Sequence, residues 1–154
     1  MKILISRCLM GAPCRYNGER IINIELLSLL EGQKLYFTCP EVEGGLPTPR
    51  SPAEIKGSRV ITNLGNDVTE SFHIGAEIAL ERARFKNVDF VIFKEQSPSC
   101  GVKRVYDGNF TGTLMEGQGI ATKKLTDDGF RVYSEEDMEE IKKLLEANDE
   151  DPSE

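Results

Sequence analysis

The sequence predicts an α/β protein whose core is a mainly parallel sheet covered by helices. Short apolar runs, which are typical of buried strands, alternate along the chain with longer segments whose apolar residues recur at helical spacing. The strand-like runs lie at residues 2–6, 35–38, 59–62, 89–94 and 130–133. Because strands that alternate with helices form βαβ units, and these units make parallel strands, the alternation itself predicts the fold class.

Four segments carry helical signals. Residues 24–31 follow Asn23, a good N-cap residue, and residues 69–86 place small and aromatic side chains at helical spacing. Residues 120–127 predict a weaker helix, and Ser134 is expected to cap a final one. These segments fall between or after the predicted strands, as the connections of a parallel sheet require.

The remaining segments predict irregular structure and a tail. Residues 40–57 contain four prolines and three glycines, which interrupt helices and strands, so this segment is predicted to be irregular. Residues 148–154 are mostly acidic and are predicted to form a disordered tail. Residues 1–147 are predicted to form a single domain, since a chain of 154 residues suits one hydrophobic core.

Composition and charge restrict the classes of function. A formal net charge of -7 argues against an extended nucleic-acid surface, although a single base or nucleoside remains compatible with it. No apolar run approaches the roughly 18 residues of a membrane helix. The first apolar run is also too short for a secretion signal. We therefore expect a cytoplasmic protein with no membrane segment.

Three of the four cysteines, Cys8, Cys39 and Cys100, lie at or just after the end of a predicted strand. Ligands bind open α/β sheets at the carboxyl ends of the strands, so we expect these thiols to meet at one edge of the sheet. Cysteines can be buried apolar residues or redox-active thiols, but converging thiolates in the cytosol also suit an iron-sulfur cluster or zinc. Three ligands would leave one iron open for catalysis, whereas Cys14 as a fourth ligand would close the site.

Polar residues accompany two of these cysteines. Glu41 lies two positions after a cysteine, and a carboxylate beside a metal site can serve as proton donor or acceptor. A structural role, in which it caps a turn or pairs with Arg15 or Arg50, accounts for the same position. Ser97 and Ser99 flank a proline just before another cysteine, where they supply polar groups to the site or only stabilise a turn.

Three blocks of sequence together resemble the thiouracil desulfurase family. They are SRCLMG at 6–11 with RYNG at 15–18, CPEV at 39–42 with GLPTPR at 45–50, and KEQSPSCG at 94–101. Their order and spacing fit the family over nearly the whole chain. Any one block is a weak match, but three in series are highly specific.

The resemblance implies a Rossmann-like three-layer fold that carries a [4Fe-4S] cluster. The implied ligands correspond to Cys8, Cys39 and Cys100. The fourth iron would bind the thiocarbonyl sulfur of a base or nucleoside such as 2-thiouracil, and water would replace that sulfur without a redox change. Glu41 would be the acid/base residue, assisted by Ser97 or Ser99.

Other interpretations of the same residues stay open. The chain departs from the family pattern at Arg7, Met10 and Cys14, which leaves the substrate preference and a fourth ligand undecided. If all four cysteines bind metal, the protein is instead a non-catalytic structural or redox-sensing iron-sulfur or zinc protein. Thiol redox chemistry without metal is a third interpretation. The sequence does not distinguish a free base, a nucleoside and a thiolated tRNA as substrate, although the acidic charge disfavours tRNA, and it does not determine the oligomeric state.

Overall fold

A computed structural model describes residues 1–20 and 23–150, and it is built around a four-stranded parallel sheet. In chain order the strands are β1 (Lys2–Ser6), β2 (Lys34–Thr38), β3 (Ala53–Lys56), β4 (Arg59–Thr62), β5 (Phe90–Phe93), β6 (Arg104–Tyr106), β7 (Leu114–Glu116) and β8 (Val132–Ser134). The central sheet has the order β2-β1-β5-β8, and every neighbouring pair is parallel. The predicted α/β class is therefore confirmed.

Helices cover both faces of this sheet and make a three-layer structure. They are α1 (Ile24–Leu29), α2 (Pro40–Glu43), α3 (Thr69–Lys86), α4 (Ile120–Asp127) and α5 (Met138–Glu150). Ile3 and Ile5 of β1 pack with apolar residues of α1 and α5, whereas Leu4 packs with those of α3 and α4. This alternation buries both faces of the sheet, as its continuous apolar strands predict. The architecture is the Rossmann-like one that the family resemblance implies.

The helix boundaries have local causes that the sequence carries. The side chain of Asn23 accepts a hydrogen bond from the Leu26 N–H at 3.0 Å, so α1 begins with the predicted cap. α3 has the predicted bounds, and it ends where Asn87 takes a left-handed conformation with φ of 51°. Ala79 and Ala83 of α3 are fully buried and pack against residues of the sheet. Their small side chains allow the helix to lie close to the sheet.

The prediction that residues 40–57 are irregular is wrong in part. They contain the short helix α2 and the strand β3, which pairs antiparallel with β4. Pro40 is compatible with the first turn of a helix, because its missing N–H would have no partner there. α2 also packs closely on α3 at Gly75, where a Cβ atom would lie 1.8 Å from the Pro40 carbonyl oxygen. Tertiary packing thus forms a helix that local composition argues against.

Two further differences concern the second half of the chain. The antiparallel pair β6 and β7 was not predicted, because each strand is only three residues long. Ser134 ends β8 and is not the cap of the final helix. Asp137 precedes α5 instead, and its side chain accepts the Ser134 N–H at 2.9 Å.

The final helix reaches further than the predicted domain end. α5 runs to Glu150, so residues 148–150 of the predicted tail are helical. Residues 151–154 lie outside the described residues. Within residues 1–20 and 23–150, no helix combines the length and apolar character needed to cross a membrane.

Candidate active site

Cys8, Cys39 and Cys100 line one cavity of about 430 Å³ at the carboxyl edge of the central sheet. Cys8 lies in a 3₁₀ turn directly after β1, and Cys39 is the N-cap of α2 directly after β2. Cys100 lies in the loop that connects β5 to β6. Because β2, β1 and β5 are neighbours in the sheet, loops that are far apart in sequence open into the same space. The structure places the thiols as the sequence leads us to expect, and their role as ligands stays a prediction.

Cys14 lies within the same group of thiols. Its buried side chain lines the same cavity as the other three cysteines. Its backbone carbonyl accepts hydrogen bonds from the Cys39 thiol at 3.8 Å and from Nη2 of Arg50 at 3.0 Å. The structure therefore brings all four cysteines to the wall of one cavity.

The environment of these thiols favours their protonated form. Hydrogen bonding to Cys14, together with burial, raises the pKa of Cys39 above its ordinary value. Burial raises the pKa of Cys100 to about 12, against hydrogen bonds from Ser99 and Ser6 that lower it. A metal that binds such thiols must displace their protons, so binding is coupled to proton release.

The donor set fits an iron-sulfur cluster by its chemistry. All four cysteines are free thiols, and soft thiolates are the ligands that such clusters take. In the described part of the chain, no three Cys, His, Asp or Glu side chains converge closely enough to hold a single metal ion. The fit thus rests on thiolate chemistry and on the cavity that the cysteines share.

Glu41 occupies the first turn of α2 and is engaged through both oxygens. Its Oε1 lies 3.2 Å from Nε of Arg50, and this ion pair is one of the structural roles that the sequence suggests for Glu41. Its Oε2 accepts hydrogen bonds from Ser99 at 2.8 Å and from Ser97 at 3.2 Å. The structure therefore joins Glu41, Ser97 and Ser99, the three predicted catalytic residues, in one hydrogen-bond network. It also shows the ion pair with Arg50, which is the structural role that Glu41 could have instead of a catalytic one.

The two serines have different surroundings. The Ser97 hydroxyl accepts the backbone N–H groups of Ser99 and Cys100, both at 3.1 Å, which is a turn-stabilising role. The Ser99 hydroxyl is buried and lies 3.5 Å from the Cys100 sulfur as well as beside Glu41. Since a hydroxyl has one proton to donate, Ser99 can serve the carboxylate or the sulfur at one time. Ser99 is the better placed of the two to respond to chemistry at the cavity.

Two features of the site were missed by the sequence reasoning. Glu95 is 1% exposed, and its Oε1 accepts four backbone N–H groups from residues 96–104, the segment that contains Cys100. A carboxylate two positions after a fully apolar strand was the signal that could have identified it. Phe110, in the unpredicted β6–β7 connection, also lines the cavity. Nothing in the local sequence marks that connection as part of the site.

Comparison with known proteins identifies the family. A family model described as 2-thiouracil desulfurase matches residues 3–137. The "Uncharacterized protein YbbK" of Bacillus subtilis (strain 168) is 40% identical over 149 residues, which cover 90% of this chain and 99% of that protein. A solved structure named [4Fe-4S]-dependent thiouracil desulfidase TudS is 44% identical with a TM-score of 0.88, covering 95% of this chain and 98% of that one. The chain belongs to the 2-thiouracil desulfurase family.

Proposed function

We propose that this protein uses a [4Fe-4S] cluster on Cys8, Cys39 and Cys100 to replace the thiocarbonyl sulfur of a thiolated pyrimidine with oxygen. The substrate is a small molecule, a base such as 2-thiouracil or its nucleoside. The observation that supports the proposal most is the shared cavity, which three cysteines line together with Glu41. The solved relative is named for the same cofactor and reaction.

The reaction is balanced without electron transfer. A thiocarbonyl and water give a carbonyl and hydrogen sulfide, so the reaction is a hydrolysis. When bound, a cluster with three protein ligands supplies a Lewis-acidic iron that polarises the carbon-sulfur bond. The role of the protein is to hold the substrate, and to move the protons that water loses and the leaving sulfur gains.

Glu41 is the residue proposed to move these protons. Arg50 holds Oε1 at 3.2 Å and is itself almost buried, so the carboxylate has little freedom to rotate. Oε2 remains as the atom that exchanges hydrogen bonds with Ser97 and Ser99. We propose that Oε2 accepts a proton from the attacking water. The Ser99 hydroxyl would then rotate away from Oε2, toward the Cys100 sulfur that lies 3.5 Å from it.

The location and substrate size follow from the same chemistry. We propose that the protein acts in the cytoplasm, where thiols stay reduced, and that residues 1–147 carry the activity as one domain. The net charge of -7 favours a small substrate over an intact tRNA.

One observation favours a second candidate, a closed four-cysteine site without catalysis. The buried Cys14 side chain lines the same cavity as the other three cysteines, and its backbone carbonyl accepts a hydrogen bond from the Cys39 thiol at 3.8 Å, which makes Cys14 a candidate fourth ligand. If Cys14 binds the metal, no iron stays open for substrate. The two candidates therefore differ in what Cys14→Ser does.

Anaerobic reconstitution with iron and sulfide tests both candidates. We expect a brown protein with a sulfur-to-iron charge-transfer band that converts 2-thiouracil to uracil. Cys14→Ser is expected to retain iron, absorbance and conversion, whereas Cys39→Ser, the matched control, loses all three. If Cys14→Ser loses the cluster as Cys39→Ser does, the closed iron-sulfur site is correct; a protein that stays colourless contradicts an iron-sulfur cluster in both candidates.

A further inference from the structure

The connection between β6 and β7 places an aromatic side chain on the wall of the cavity. Phe110 lines the same space as the cysteines and Glu41. Its side chain is 38% exposed, although a large apolar residue gains free energy when it is buried. Tyr16 and Tyr106 line the cavity as well, so aromatic and thiol groups share its wall.

The backbone of Phe110 is held in an unusual conformation. Its φ is 56°, in the left-handed region that bulky residues rarely adopt. Glu54, on β3, accepts the N–H groups of Gly108 at 2.9 Å and of Phe110 at 3.3 Å through one carboxylate oxygen. The Asp107 N–H donates to the carbonyl of Thr113 at 3.0 Å and closes the connection. These contacts hold Phe110 in position before any ligand arrives.

The contact with β3 is close as well as polar. Gly108 has φ of 93°, and a Cβ atom there would lie 2.7 Å from the carbonyl oxygen of Ile55. The connection therefore lies directly against β3, and Glu54 is buried beneath it. Residues kept in rarely populated backbone conformations by their surroundings cluster at ligand sites, where the fixed position is useful. A partly exposed aromatic ring on a fixed backbone suits a flat ligand.

We propose that Phe110 stacks on the planar ring of the substrate and so selects aromatic thiocarbonyl compounds. The inference rests on the proposed desulfuration, and it adds the residue that recognises the heterocycle. The thiol and carboxylate groups of the cavity can interact with the polar groups at the edge of a pyrimidine ring. The two faces of the ring are apolar and are then left for apolar side chains to cover. An aromatic ring is the side chain that covers such a face most effectively.

Replacing Phe110 tests this role, and the size of the effect follows from stacking energies. Stacking of a base on an aromatic side chain is worth about 1–3 kcal/mol, which corresponds to about 5- to 140-fold in affinity. We expect Phe110→Ala to raise the KM for 2-thiouracil by a factor in this range, with a much smaller effect on kcat. Phe110→Tyr should keep the wild-type KM within about threefold, whereas Phe110→Leu should resemble alanine because it has no ring.

Binding of the product supplies a readout that does not depend on turnover. Calorimetric titration of the reconstituted proteins with uracil should show the same order of Kd values as the KM series. Iron content and thermal unfolding should be unchanged, since Phe110 lies in a partly exposed connection. The matched control is Phe85→Ala, because Phe85 is 84% exposed on α3 and does not line the cavity. It is expected to alter neither KM nor Kd.

The outcomes separate this inference from the proposed function. If Phe110→Ala keeps the KM and the uracil Kd of the wild type, stacking by Phe110 is wrong while desulfuration stands. Equal effects of Phe110→Leu and Phe110→Tyr would also overturn stacking, since size and not aromaticity would then matter. If an iron-loaded wild type leaves 2-thiouracil unchanged, the proposed function fails, whatever the uracil titrations show.

Discussion

Replacement of Glu95 should lower the free energy of unfolding more than replacement of any other polar residue of the site, such as Glu41 or Ser99. The side chain is 1% exposed, and Oε1 accepts backbone N–H groups from Val102 at 2.7 Å, Lys103 at 2.9 Å, Arg104 at 3.2 Å and Gln96 at 3.3 Å. Oε2 has no hydrogen-bond partner within the described chain. Glu95 therefore holds residues 96–104 in a closed loop, and that loop carries Cys100.

The expected loss follows from the two shortest bonds. A hydrogen bond to a charged acceptor is worth about 2 kcal/mol, so Glu95→Ala should lower the free energy of unfolding by about 4 kcal/mol. A domain of this size has about 5–15 kcal/mol in total, so the loss is large. Glu95→Gln keeps an acceptor oxygen without the charge and should cost about 1–2 kcal/mol.

Urea unfolding of the reduced, cluster-free protein at neutral pH measures these differences by circular dichroism. With a slope of about 2 kcal/mol per molar urea, the midpoint of Glu95→Ala should fall by about 2 M. Glu31→Ala is the matched control, since Glu31 is exposed, and it should stay within about 0.5 kcal/mol of the wild type. If Glu95→Ala loses less than about 1 kcal/mol, the loop is held by other contacts and the reasoning is refuted.

Two further predictions concern proton transfer and pH. Glu41→Gln should keep its iron but lower kcat about 10²- to 10⁴-fold, because the amide oxygen of glutamine can accept from Arg50 while its NH2 group, facing Ser99, cannot take a proton; an unchanged kcat would assign proton transfer elsewhere. Burial alone would raise the pKa of Glu95, but N–H donors such as those of Lys103 and Arg104 outweigh it and hold the pKa below its ordinary value of 4.5. The charge of Glu95 therefore stabilises the fold above that value, and this stabilisation is lost as the pH falls through the lower folded pKa. The urea-midpoint gap between wild type and Glu95→Gln should narrow on acidification below about pH 4.5, and a constant gap would contradict this.

The elements that could be predicted from sequence are those whose stability is local or periodic. Residues 69–86 carry enough helical periodicity to define α3, and Asn23 caps α1 with its own side chain. The two central strands, β1 and β5, are buried on both faces and are therefore visible as continuous apolar runs. Each of these signals comes from neighbouring residues.

The elements that escaped prediction depend on distant contacts. α2 is four residues long, and it forms where Gly75 lets α3 approach Pro40 closely. β6 and β7 are too short for a periodic pattern, and Glu54 from β3 holds the connection between them. No local pattern reports contacts between residues 35 positions apart, as for Pro40 and Gly75, or 54 apart, as for Glu54 and Gly108.

The sequence by itself determined the fold class and the family, and it predicted that three cysteines meet at one edge of the sheet. Cys8, Cys39 and Cys100 could be selected because each follows a strand, and parallel strands end at the same edge of a sheet. Only the tertiary structure showed that one carboxylate oxygen of Glu41 pairs with Arg50 and that the other accepts hydrogen bonds from Ser97 and Ser99. It alone revealed the buried carboxylate that closes the loop at 96–104 and the aromatic ring on the cavity wall. The physical reason is that hydrogen-bond partners and cavity walls are set by the order of strands and the packing of loops, which a chain acquires only when it folds.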